Sequence, residues 1–169
     1  NMYGLSEEET AQLAGSMVPV LITGEEGIRM SRAAARLYME SPLQDAPLVF
    51  INCCLLNDRS WEFLLESHNS PLSESGSTLY FSRVGALSPS RRLQLMDTLA
   101  ESGVCRRSRL LFSCTCRPGE QMAPEAAGFL NRLNCRVLYL QPLRNLREQI
   151  PAQITSSLSL LNASRSYPV

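Results

Sequence analysis

No lysine occurs among the 169 residues; all sixteen basic side chains are arginine, and sixteen acids bring the formal net charge to zero. A phosphate site that relies on an ammonium group therefore has none to draw on within this chain. With no basic excess there is no field to hold nucleic acid by counterion release, so any DNA contact is expected to come through domains outside this chain. Aspartate is scarce, present only as Asp45, Asp58 and Asp97, and His68 is the sole histidine. No C-x-x-C pair occurs among the six cysteines, which removes the usual zinc spacings. No apolar run approaches the ~18 residues of a membrane span. The start, "NMYGLSEEET", lacks the basic flank and apolar centre of a secretion signal. A cytoplasmic location without membrane contact is the expectation, with the six thiols reduced and mostly packed as small hydrophobes.

What is present is globular: 44% of residues are apolar and 19% charged. "VPVLITG" (18–24) and "APLVFINCC" (46–54) are short apolar runs with the character of strands buried on both faces. "TLYFSRV" (78–84), "SRLLFSCT" (108–115) and "CRVLYL" (135–140) supply three more strands. Between them lie helical stretches. "LSEEETAQLAGSM" has Ser6 as a candidate cap, "SRAAARLYMES" is alanine-rich, and "RSWEFLLES" is short. "SPSRRLQLMDTLAES" has Ser88 as cap, Pro89 at the first helical position, and Leu93, Met96 and Leu99 as its apolar face. "APEAAGFLNRLN" and "REQIPAQITSSLSLLN" complete the set. Strand and helix alternate five times, which predicts an α/β domain with a mainly parallel five-stranded sheet covered on both faces.

Ligands of open α/β sheets bind at the carboxyl ends of the strands. After the first strand comes "GEEGIRMS", Gly24, Glu25, Glu26, Gly27, Ile28, Arg29, Met30 and Ser31. A P-loop, G-x-x-x-x-G-K-[ST], curls backbone N–H groups around phosphates and neutralises them with lysine. Here Gly24, Gly27 and Ser31 keep that pattern, whereas Arg29 stands at the last glycine position and Met30 at the lysine.

In order, "PVLITGEEG", "PLVFINCCLL", "GSTLYFSRVGALSPSRRLQLMDTLAESG", "SRLLFSCTCR", "FLNRLN" and "LQPLRNLREQIP" resemble the AAA+ domain of sigma-54-dependent transcription activators, the NtrC-like family. The resemblance spans about residues 18–161 and implies a three-layer α/β/α P-loop NTPase core over 1–147. It also implies that of the family's helical lid only the first helix, with a tail, is represented, at 148–169.

The same resemblance marks what has been replaced. Ser82 falls at the magnesium-associated aspartate of the Walker B strand and Arg83 at the catalytic glutamate. Cys116 falls at the sensor asparagine. Arg132 matches the second trans-acting arginine finger, while Ala126 stands where the first belongs. In place of the GAFTGA loop that engages sigma-54 is "ESHNSPLSESGS". ATP hydrolysis needs cations at the phosphates, an acid for Mg²⁺ and a carboxylate to orient water. The expectation is a domain with no catalytic residue, no metal and no resident cofactor, a degenerate sigma-54-interaction module working through protein contacts. Its partners would be an active AAA+ paralogue or sigma-54 RNA polymerase. Weak ATP or ADP binding without turnover is the alternative, and an active polymerase-remodelling ATPase is disfavoured.

The remaining features read more plainly. Arg83 or Arg29 is expected to pair with Glu25 or Glu26 and fill the pocket internally. Arg132 is expected on a solvated helix face in preference to a finger role. Arg91, Arg92, Arg106, Arg107 and Arg109 are expected as exposed helix and strand-edge charge. No positioned acid or strained elbow accompanies His68, which argues against a serine–histidine site. Trp61, Phe63, Leu64 and Leu65 are expected to pack beneath the following loop.

Overall fold

The computed structural model describes residues 7–25 and 28–142. Ser6 and the lid segment 148–169 lie outside these residues. The elements in chain order are α1 (Glu7–Gly15), β1 (Val20–Gly24), α2 (Ile28–Met39), β2 (Leu48–Asn52) and α3 (Asp58–Glu66). They continue with β3 (Thr78–Ser82), α4 (Pro89–Glu101), α5 (Val104–Arg107), β4 (Arg109–Thr115), α6 (Ala127–Leu133) and β5 (Arg136–Tyr139).

All five strands run parallel in the order β2-β3-β4-β1-β5. Strand side chains alternate between faces, and that alternation splits the core in two. Leu21, Leu79, Phe81, Leu110 and Phe112 point to the layer containing Leu64, Leu95, Leu99 and Phe129 of α3, α4 and α6. Val20, Ile22, Tyr80 and Leu111 point the other way, to Leu13 and Ala14 of α1 and Met30, Ala33, Ala34 and Leu37 of α2. The predicted α/β/α sandwich is thus the observed one.

Local signals explain several boundaries. Ser88 accepts from the Arg91 N–H and Pro89 opens α4, as expected. α3 starts with a capping box in which Asn57 and Ser60 exchange side-chain and backbone bonds. β3 ends at Ser82, not residue 84, because Arg83 adopts the left-handed conformation with φ 59° and ψ 52°.

Four expectations fail, the first being Phe63, which is 50% exposed instead of packed with Trp61 and Leu64 beneath the following loop. β2 is not buried on both faces: it is one of the two sheet edges, with Leu48 37% and Phe50 56% exposed. α4 turns Leu95 and Leu99 inward and leaves Leu93 exposed, so its apolar face is offset from the predicted one. Arg109 is no surface charge. It is fully buried, and its guanidinium donates to the carbonyls of Leu13 (2.6 Å), Ala14 (2.7 Å) and Val18 (3.3 Å). The last carbonyls of a helix have no intrahelical donor, and Arg109 supplies them for α1 from the start of β4. Burial lowers its pKa to about 10, which leaves it charged at neutral pH.

Candidate functional site

Because β1 lies beside β4, and β4 beside β3, the strand order gathers the carboxyl ends that carry Gly24–Ser31, Ser82–Arg83 and Cys116. Those positions do form one end of the sheet. Arg132 does not join them. It sits on α6 and pairs with Asp97 at 3.3 Å and Glu101 at 3.4 Å, both on α4, as the solvated-face reading expects.

Each described loop residue is engaged by the protein itself. Glu26 and Gly27 lie outside the described residues, and Ile28 opens α2. Gly24 packs under β5: a Cβ there would lie 3.2 Å from the Leu140 Cβ and 3.3 Å from its carbonyl oxygen. The Gly24 carbonyl accepts from the Cys116 N–H at 2.8 Å. Strand packing alone therefore accounts for this glycine. Glu25 accepts from the Gly119 N–H at 3.1 Å, tying the loop after β1 to the loop after β4. Arg29 reaches the Gln141 carbonyl at 2.6 Å, beyond β5. Met30 is 1% exposed and belongs to the core between α2 and the sheet. Ser31, whose hydroxyl position holds magnesium in working P-loops, faces the Tyr80 hydroxyl at 3.5 Å. Tyr80 in turn donates to Ser113 at 3.0 Å, and Ser113 accepts from the Arg83 N–H at 3.1 Å. A chain of side-chain hydroxyls thus links the start of α2 to the end of β3.

Arg83 does not pair with Glu25; its Nη1 donates to the Cys54 thiol at 3.7 Å. Its backbone is left-handed, with φ 59° and ψ 52°, at the end of β3. Cys116 donates to the Glu120 carbonyl at 3.0 Å, and burial raises its pKa. A cavity of about 330 Å³ opens beside these groups, lined by Cys54, Arg83, Thr115, Cys116, Arg117 and Glu125 among others. A neighbouring one of about 510 Å³ includes Cys54, Asp58, Ser88 and Arg91. No described residue of the 24–31 loop lines either space. Sequence reasoning missed Cys54 as the meeting point of both cavities, and its only signal was its place just after an apolar strand.

The family description "Sigma-54 interaction domain" matches residues 4–69. The Nif-specific regulatory protein of Herbaspirillum seropedicae is 25% identical across 89% of this chain and 33% of its own length. ZraR, a transcriptional regulatory protein of Escherichia coli K12, is 27% identical across 85% of the chain and 38% of its own length. This chain is similar to the sigma-54 interaction domains of such regulators. It spans little more than a third of the length of those regulators. Two solved structures share its fold. Brucella abortus NtrX, crystallised with ATP, superposes with a TM-score of 0.65 at 18% identity over 85% of this chain and 38% of NtrX. The P-loop NTPase domain of an E. coli sigma-54 transport activator gives 0.55 at 17% identity, over 80% of this chain and 92% of that domain.

The likeness to these solved structures fixes the fold. Among the described residues no helix is long and apolar enough to cross a membrane, and no cluster of His, Cys, Asp and Glu could hold a metal. Met30, which the resemblance sets at the lysine position, is apolar and inside the core, and Ser82 stands where the resemblance sets the acid.

Proposed function

We propose that this chain is a non-hydrolysing sigma-54-interaction domain of a bacterial transcriptional regulator and acts through protein contacts. The observation that carries the reading is Met30. At the position where a working P-loop projects a lysine toward the phosphates, this chain turns a thioether inward against Ala33, Ala34 and Leu37. Support comes from the groups around it. Ser31 faces Tyr80, Glu25 serves the 116–123 loop, and Arg83 turns to Cys54. The groups that would grip and split a triphosphate are thereby replaced by contacts that hold the strand ends together. An arginine cannot take a proton from water at neutral pH, so Arg83 offers no general base.

On this reading the partners are an active AAA+ paralogue or sigma-54 RNA polymerase, with DNA bound only through other domains. Calorimetric titration with ATP and ADP, with and without Mg²⁺, tests it alongside a phosphate-release assay. No heat at millimolar nucleotide and no release above buffer are expected. Saturable binding without release would make the domain a nucleotide sensor, and release would make it an ATPase; either overturns the proposal.

A further inference from the structure

β2 is one of the two edges of the sheet, no strand among the described residues pairs with its outer side, and its composition is unusual for an edge. Natural proteins protect exposed strands with lysine, charge, proline or a bulge. Residues 46–57, "APLVFINCCLLN", contain no charged side chain, and the single proline, Pro47, precedes the strand. On the face shared with α1 and α2, Leu48 and Phe50 stay exposed, and Phe50 leans on Tyr80 with ring centroids 5.3 Å apart. Among the described residues the helices of that layer cover β1, β3 and β4 but stop short of β2.

The hydrogen-bond register fixes which main-chain groups face outward. The Thr78 N–H donates to the Pro47 carbonyl, and β2 pairs β3 in parallel with Leu48 opposite Thr78. In a parallel ladder a residue bonds to the positions flanking its partner. The amides of Val49 and Ile51 therefore point to β3, and those of Leu48, Phe50 and Asn52 point away from it. An antiparallel copy of the same strand, centred on Phe50, sets Phe50 against Phe50 and Leu48 against Asn52. Every outward N–H and C=O of the strand then has a partner, and no like charges meet. A register shifted by one residue leaves outward groups facing side chains' inward amides and loses this match.

We propose that two copies of this chain associate through β2, antiparallel about Phe50, to give a continuous ten-stranded sheet with the Phe50 rings packed together on the α2 face. The occupant is a second copy because the edge is self-complementary in both hydrogen bonding and charge, whereas a charged extended peptide would find nothing to pair with. The inference is independent of whether the P-loop region binds nucleotide.

Sedimentation of the full chain from micromolar to millimolar concentration tests it. A concentration-dependent dimer is expected. Phe50→Arg would place two guanidinium groups against each other and weaken association at least tenfold, with the far-UV spectrum and thermal transition retained because Phe50 is half exposed. As a second readout, Phe50→Cys in a Cys54→Ser background should form a disulfide-linked dimer under mild oxidation, since residues directly opposite in an antiparallel pair have adjacent Cβ atoms. A monomer at every concentration overturns the proposal. So does a dimer that survives Phe50→Arg and gives no Phe50→Cys crosslink, because such a dimer uses another surface.

Discussion

Met30 is the residue at which shape and chemistry separate. In a P-loop the lysine must leave the helix surface and reach the phosphates; here the side chain at that position lies within the core beside Tyr80 and Leu111. Met30→Lys therefore does not restore a site. It places an ammonium among apolar neighbours, and burying an unpaired polar group there costs about 2–4 kcal/mol. Chemical denaturation of the variant should show that loss, while calorimetry shows no gain of ATP affinity. A variant that binds ATP with unchanged stability would mean the helix start rotates freely enough to present the lysine. Sequence alone identified the substitution at Met30 but not its burial, because a methionine at a loop–helix junction packs equally well on either side. Arg109 shows the opposite failure. An arginine opening an apolar strand reads as edge charge, and nothing local announces that its acceptors are carbonyls of Leu13 and Ala14, more than ninety residues earlier.

Between elements, the contact of α4 with α6 decides the reading of Arg132. A trans-acting finger would project its guanidinium past the subunit surface toward a neighbour's nucleotide. In this chain Arg132 is held along α4 by Asp97 and Glu101. All three side chains are substantially exposed, and such pairs contribute ~0–1 kcal/mol. Arg132→Ala should therefore lower stability within that range, with the effect shrinking as salt rises. A loss several times larger, measured by urea unfolding at low and high salt, would show that the residue carries more than a surface pair. Strand existence was legible for all five strands, since each is a short, largely apolar run bounded by turn or helix signals. Which strand forms the edge was not. Parallel strands buried on both faces and an unprotected edge share the same apolar composition, so "PLVFIN" looks identical in either place. The short α5 was also missed: four residues leave no periodicity to read, and it starts only because Gly103 adopts φ 75°.

At the scale of the molecule, the alternation of strands and helices predicted the layers, whereas the strand order that brings the ends of β1, β3 and β4 together was not read from the sequence. The thiols are mostly packed as small hydrophobes, as expected, with Cys54 the exposed one. Burial pushes Cys53 up to about 12, with the adjacent Cys54 thiol adding to it. Burial likewise pushes Cys135 up to about 12 and Cys114 to about 11, from an ordinary value of 9.0. These groups are dispersed over the core of the α3, α4 and α6 layer, so their titration reports on the whole fold. In the unfolded chain they ionise near their ordinary value, while the folded core keeps them neutral. Above pH 9 the folded state thus binds more protons than the unfolded one, and stability falls as pH rises. Below pH 9 both states are protonated and the contribution is fully present. Arg109, lowered to about 10, acts in the opposite sense, but only once its own folded-state titration begins. Between pH 9 and 10 Arg109 is only partly titrated, and its opposing effect is smaller than that of the three thiols together. Urea midpoints measured under reductant across that interval should decline, and replacing Cys53, Cys114 and Cys135 together by alanine should flatten the decline. A midpoint that stays level in the parent chain would mean the three thiols are reachable by water, and with them the core between the sheet and α4.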